Sequence, residues 1–145
     1  MMSNKLTIFD VAGRSMAAQQ VRLNTVASNL ANAASVTGSP DTVYRPIKPV
    51  FETQYHDVME QTGIATVDVT NISQSNAPPE KRYQPNHPLA DKDGYITQSN
   101  VNVMADLADA MQTSRLYEAN IAVVSAVVIG PVPVVALLTV MTPVV

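Results

Sequence analysis

Two stretches of this chain, one near each end, place apolar side chains at alternating spacings of three and four. Near the N-terminus these are Phe9, Ala12, Met16, Leu23, Val26, Leu30 and Ala33, with Gln19 as the one interruption. Near the other end, Leu107, Ala110, Tyr117, Ile121, Val124 and Val128 repeat the pattern, interrupted at Ser114 and flanked by Met111. Because three and four straddle the helical turn, each set forms a narrow seam along one side of a helix. Such seams suit helices packed lengthwise on other helices, so the chain reads as a packing subunit. The seams either cover each other within one chain or face other molecules, and composition leaves both open.

Residues 5–33 read as one helix of roughly 40 Å at 1.5 Å per residue. Gly13 costs about 1 kcal/mol of helix propensity relative to Ala, so it can mark a loosening near the helix start. Gly38, Ser39, Pro40 and Asp41 then break the helix and make a turn. From Tyr44 to Asn100 the composition changes, and Pro46, Pro49, Pro78, Pro79, Pro85 and Pro88 exclude long helices and central strands around them. Short strands are predicted at Val50 to Tyr55, Ala65 to Ile72 and Tyr95 to Gln98. Val67 and Val69 alternate with Asp68 and Thr70 as in a half-buried strand, while Ile64 and Ile72 have the opposite parity, which predicts a small twisted sheet with a bulge. Asp91-Lys92-Asp93-Gly94 is a turn whose Gly supplies a positive φ. Helical spacing resumes over residues 100–128, with Asn100 or Asn102 as N-cap, Asp106 and Asp109 near the helix start, and Arg115 and Glu118 able to pair on the solvated side.

The expected fold is therefore α+β: long N- and C-terminal helices packing as a helical bundle or coiled coil, with a small β-rich middle domain. The boundaries read as residues 1–36 for the first helix, 37–99 for the middle domain, 100–128 for the last helix and 129–145 for an atypical apolar tail. No charge follows Glu118, and residues 121–145 contain ten Val. Gly130, Pro131, Pro133 and Pro143 argue against a straight spanning helix there. A buried or disordered extension fits those residues better than a membrane anchor does.

Several function classes find no support. Nine Lys and Arg lie scattered in a chain of net charge −3, whereas a nucleic-acid surface needs clustered cations. No cysteine is present, which removes disulfides and thiolate metal sites. His56 and His87 lack a second ligand at helical spacing, and His87, between Asn86 and Pro88, suits packing or a turn hydrogen bond. Asp91 and Asp93 are not followed by the Glu that a calcium loop needs, since position 102 is Asn. Without a nucleophile elbow or a phosphate-binding Gly loop, no enzymatic activity, cofactor or small-molecule substrate is expected. Asp10, Gly13 and Arg14 interrupt any secretory apolar run near the N-terminus.

The run Leu23-Asn24-Thr25-Val26-Ala27-Ser28-Asn29-Leu30-Ala31-Asn32-Ala33, continued by Tyr44-Arg45 and Pro49-Val50-Phe51-Glu52, resembles the N-terminal signature of flagellar rod and hook proteins. Tyr83-Gln84-Pro85-Asn86-His87-Pro88-Leu89-Ala90-Asp91-Lys92-Asp93-Gly94-Tyr95 and Asn100-Val101-Asn102-Val103 resemble the proximal-rod members of that group, and the likeness covers residues 5 to about 126. Ser99 stands where many relatives have Pro. The resemblance ends at the tail, because relatives usually close with an amphipathic helix bearing charged and amide side chains, whereas Ser125 to Val145 are Val- and Pro-rich.

The resemblance implies an axial subunit, exported through the flagellar type III apparatus without a cleaved signal peptide. Its partners would be copies of itself and other rod proteins, in a helical tube that crosses the periplasm and transmits motor torque. The terminal helices would form the inner layer and the middle segment the outer domain. The candidate assembly residues are Phe9, Ala12, Met16, Leu23, Asn24, Val26, Asn29, Leu30 and Asn32 on the first helix, with Leu107, Met111, Tyr117, Ile121 and Val124 on the last. Asn24, Asn29 and Asn32 flank the seam, able to bond neighbouring helices, cap the helix end or face solvent. A second candidate contact is the stiff loop carrying Tyr83, Pro85, His87, Pro88 and Tyr95, unless its rings only cover the domain's own sheet. The alternative to a rod subunit is a tail-anchored membrane protein whose N-terminal helix binds a partner.

Overall fold

A computed structural model of the chain describes residues 7–55 and 65–129. The expectations for residues 5 and 6, His56, Ile64 and the tail from residue 130 lie outside the described residues. Helix α1, Ile8–Asn32, begins at a capping box. The Asp10 amide donates to the Thr7 hydroxyl at 3.2 Å while the Thr7 amide donates to the Asp10 carboxylate at 2.9 Å, so two of the orphan donors of the first turn are satisfied reciprocally. The Thr7 hydroxyl and amide, both donating to it, hold the Asp10 carboxyl below its ordinary value. Gly13 lies within α1 with open space around it, so it does not loosen the helix.

Five strands follow: β1 (Val36–Thr37), β2 (Ile47–Tyr55), β3 (Ala65–Gln74), β4 (Glu80–Tyr83) and β5 (Tyr95–Gln98). They form two sheets where the sequence led us to expect one: an antiparallel β2–β3 ribbon and a three-stranded sheet in the order β1-β5-β4. The ribbon carries the expected bulge, with the register shifting between Val50 and Phe51. Strand β2 starts three residues earlier than predicted and contains Pro49 opposite Ile72. A two-stranded ribbon tolerates this, because each strand is an edge and a missing N–H can face outward. The predicted faces of β3 are reversed at its start: Thr66 is buried and Asp68 reaches Arg14 of α1, whereas Val67 is 39% exposed.

Helix α2, Val103–Ile129, is capped by Asn102, whose Oδ1 accepts the Ala105 amide at 3.0 Å. It packs along α1, and α1 in turn packs on the β2–β3 ribbon. The helices are antiparallel, since Arg22 meets Asp109 while Ser15 meets Asn120. The β1–β5 pairing of the three-stranded sheet continues one residue beyond the strands, where the Ser99 amide donates to the Ser35 carbonyl at 3.1 Å. The α+β class is thus as expected. Among the described residues, the buried apolar core is small (Ala12, Ala18, Val26, Val43 and Ile96) and buried polar side chains are prominent: Thr25, Asn29, Thr66, Thr97, Ser99 and Thr113. Ion pairs among the described residues join Arg14 to Asp68 and Arg22 to Asp109, so the expected Arg115–Glu118 pair is not formed. No helix among the described residues is long and apolar enough to cross a membrane.

Candidate assembly interface

The contact between α1 and α2 is built from small and polar side chains. Arg22 forks onto Asp109, with Nε donating to Oδ2 at 3.1 Å and the second guanidinium arm to Oδ1. Seven residues back along α1, the Ser15 hydroxyl accepts from the Asn120 amide group at 2.9 Å. Between them lies Thr113, 0% exposed, its hydroxyl donating to the Asp109 carbonyl at 2.7 Å. Ala12 and Ala18 of α1 are buried, which lets the helix axes approach. On α2 the sheltered positions are Asp106, Asp109, Ala110, Thr113, Tyr117, Asn120 and Val124.

That choice of face sends the larger apolar side chains of α2 outward. Of the residues read from sequence as the seam of this helix, Tyr117 and Val124 are half-buried, whereas Leu107, Met111 and Ile121 are exposed, Met111 at 56%. Met104 and Val128 extend the outward row. On α1, Ala12 and Val26 are buried and Met16, Leu23 and Leu30 half-buried, while Phe9 stays exposed at the open end of the helix pair. The sequence stripe therefore divides into a part covered by the chain itself and a part facing away.

The three asparagines also divide. Asn24 is exposed, with its backbone carbonyl accepting the Ser28 hydroxyl at 2.9 Å. Half-buried Asn32 donates to the Ser28 carbonyl within its own helix. Asn29 is 2% exposed, and its amide grips the start of β2 at two points. Its Oδ1 accepts the Ile47 amide at 2.9 Å and its Nδ2 donates to the Ile47 carbonyl at 3.0 Å. The Tyr44 hydroxyl donates to the same Oδ1 at 2.9 Å. Burial, and the negative charge of Asp106, raise the Tyr44 pKa above its ordinary value, which keeps that donor protonated.

In the middle segment, Tyr83 and Tyr95 pair across β4 and β5, their rings edge to face at 5.2 Å between centroids. Both remain exposed. The intervening loop is fixed by local bonds: His87 Nδ1 accepts the Leu89 amide at 3.1 Å, and Asp91 Oδ1 accepts the amides of Asp93 and Tyr95 at 3.0 and 2.8 Å. These bonds account for His87 and Asp91 as turn residues. The loop also approaches the turn after β1, where a Cβ on Gly38 would stand 3.0 Å from the Leu89 carbonyl oxygen. Gly94 has φ +82°, and a Cβ there would lie 3.0 Å from the Tyr83 ring and 3.1 Å from Pro85. Gly94→Ala is therefore expected to destabilise the chain by about 1–3 kcal/mol, combining backbone strain with the clash. Thermal melting checks this, and an unchanged midpoint would contradict the geometry.

A groove of about 410 Å³ opens between α1, β2 and the start of α2, lined in part by Arg22, Lys48, Phe51 and Asp106. Asp106 Oδ2 is buried there without a hydrogen-bond partner. Among the described residues no group of three or more His, Cys, Asp and Glu is placed to hold a metal ion. Sequence reasoning missed the Arg22–Asp109 fork and the Asn29 clamp; an opposite-charge pair on two helices expected to pack was a signal for the first, and only Asn within an apolar helix face hinted at the second.

Comparison with known proteins bears on what this arrangement serves. The family model described as flagella basal body rod protein matches residues 9–38, and the one described as flagellar basal body rod FlgEFG protein C-terminal matches residues 92–127. The chain is 43% identical over 122 residues to the flagellar basal-body rod protein FlgC of Salmonella typhimurium, covering 84% of this chain and 89% of the relative. It is 44% identical over 124 residues to FlgC of Escherichia coli O157:H7, with the same coverage. The chain belongs to the FlgC family of flagellar basal-body rod proteins. A more distant FlgC, from Buchnera aphidicola subsp. Schizaphis graminum, is 36% identical over 81% of this chain and 86% of its own length.

The FlgC family is structural and not enzymatic, as the sequence led us to expect. The two matched segments coincide with α1 and its following turn, and with β5 and α2. The tail on which the tail-anchored alternative rests lies outside the described residues, and it is membership of a rod-protein family that favours the structural subunit.

Proposed function

We propose that this chain is a subunit of the proximal rod, joining copies of itself and other rod proteins through the outward rows of its terminal helices to form a torque-transmitting tube across the periplasm. The observation that carries the reading is the outward apolar row of α2, with Leu107, Met111 and Ile121 exposed while the polar face of the same helix is spent on α1. An apolar row of this kind on a chain whose relatives are rod proteins suits contact with further helices, as in a bundle or coiled coil. Repeating such a contact with a rise gives an open helical assembly. In this reading α1 and α2 form the inner layer, the middle segment of residues 37–99 lies outside it, and the Tyr83–Tyr95 loop touches a neighbouring subunit. The stiff loop loses little entropy on contact, and its exposed rings supply amphipathic area. Delivery would use the flagellar type III export apparatus, with no cleaved signal peptide.

Met111→Asp tests the reading. The side chain is exposed in the isolated chain, so the melting free energy should change by no more than about 0.5 kcal/mol. A charge buried unpaired between subunits costs several kcal/mol, so basal bodies from cells carrying only this variant should lack the protein and motility should be lost. Normal incorporation would place Met111 outside the subunit contacts.

A further inference from the structure

Among the described residues, exposed methionine sulfur is confined to the outward row of α2. Met104 is 75% exposed and Met111 56%, seven positions apart with exposed Leu107 between them. Seven residues are about two helical turns, so both thioethers lie on one side of the helix. Met16 of α1, by contrast, is half-buried. Met111 also lines a hollow of about 370 Å³ together with Ala108, Gln112, Arg115 and Leu116. Arg115 stands one turn on, at the spacing where helical side chains meet, and takes no part in the ion pairs of the described residues. Its guanidinium is therefore available as a donor beside the Met111 sulfur.

We propose that Met104 and Met111 are a paired oxidation site of the unassembled chain, at which hydrogen peroxide converts both thioethers to sulfoxides and makes the outward row polar. At each sulfur a lone pair attacks one peroxide oxygen, and the O–O bond breaks as the S–O bond forms. The second oxygen takes the proton of the first and leaves as water, so sulfur loses two electrons and peroxide gains them. The step needs an accessible thioether and no neighbouring catalytic group, which is why exposure selects these two sulfurs. In the free chain, water and the Arg115 guanidinium satisfy the new sulfoxide acceptors. Between packed helices the same oxygens would be buried without donors, which is unfavourable twice over on one contact. The contact of α2 with α1 lies on the other side of the helix, so oxidation opposes packing between subunits and leaves the chain's own fold in place. This effect on packing, unlike the oxidation itself, rests on the reading of the outward row as a subunit contact.

The full-length chain, treated with dilute hydrogen peroxide and followed by tandem mass spectrometry, should gain sulfoxide at Met104 and Met111 about tenfold faster than at Met16. Equal rates at the three sulfurs, or faster oxidation of Met16, would overturn the site. Purified basal bodies given the same treatment should oxidise at Met104 and Met111 about tenfold more slowly than the free chain. Undiminished rates there would show the row uncovered and overturn the effect on packing. In cells whose peroxide pulse is quenched before assembly resumes, chains incorporated afterwards should carry about fivefold less sulfoxide at these two positions than the unassembled pool. Equal sulfoxide content would likewise overturn the effect on packing. Failure of the free-chain measurement leaves the assembly reading to stand or fall on Met111→Asp, whereas normal incorporation of Met111→Asp removes the effect on packing and leaves the chemistry at the two sulfurs.

Discussion

Asn29→Ala is expected to lower the stability of the isolated chain by about 3 kcal/mol, a fall in Tm on the order of 10 °C. The side chain occupies a fully buried position between α1 and the start of β2. Its amide satisfies both backbone groups of Ile47 and also accepts the Tyr44 hydroxyl. Truncation leaves three polar groups to find new partners in a site shielded from water, and each unsatisfied group costs roughly 1–3 kcal/mol. Partial entry of water into the space vacated keeps the total near the low end of that sum. Tyr44→Phe removes one of the three bonds and leaves the Ile47 grip intact, so its cost should be about 1 kcal/mol. Equal melting of Asn29→Ala and Tyr44→Phe would show that the grip on Ile47 contributes nothing.

The parts of this fold that were legible in the sequence are those fixed by neighbours in the chain. The end of α1, the turn at Gly94, the hydrogen bond of His87 and the Asn102 cap all depend on residues within about four positions. The outward turn of α2 was not legible. Counting apolar spacings treats Leu107, Ala110, Tyr117 and Ile121 as one seam, but which side of a helix is covered depends on what the opposing helix presents. Helix α1 presents Ser15 and Arg22, so α2 turns Asp109 and Asn120 toward it, with buried Thr113 between them, and leaves Leu107 and Ile121 outside. Strand β4 was missed for a related reason. Glu80, Lys81, Arg82 and Tyr83 are all exposed and show no alternation, and the strand exists because β5 supplies a partner twelve residues on from Tyr83.

The same polar seam gives the second large effect. Asp109→Arg places a guanidinium against that of Arg22, where the native pair is about 28% exposed on each side. The native fork supplies two charge-assisted hydrogen bonds in a half-sheltered site, and reversing one charge replaces attraction with repulsion while leaving both polar groups to be rehydrated. The helices are expected to part at this end, with a loss of about 2–4 kcal/mol. Thr113 lies one turn further along α2 with no exposed surface, so its amide should exchange with solvent far faster in the variant. The exposed Arg14–Asp68 pair is a control: reversing Asp68 should cost at most about 1 kcal/mol, because water screens a pair left open on both sides. The reciprocal swap, Arg22→Asp with Asp109→Arg, restores opposite charge across the same gap and should recover more than half of the loss in a double-mutant cycle. If the swap recovers nothing, the seam is held by Thr113, the alanines and the Ser15–Asn120 bond. The fork would then set the alignment of the two helices without contributing to their stability.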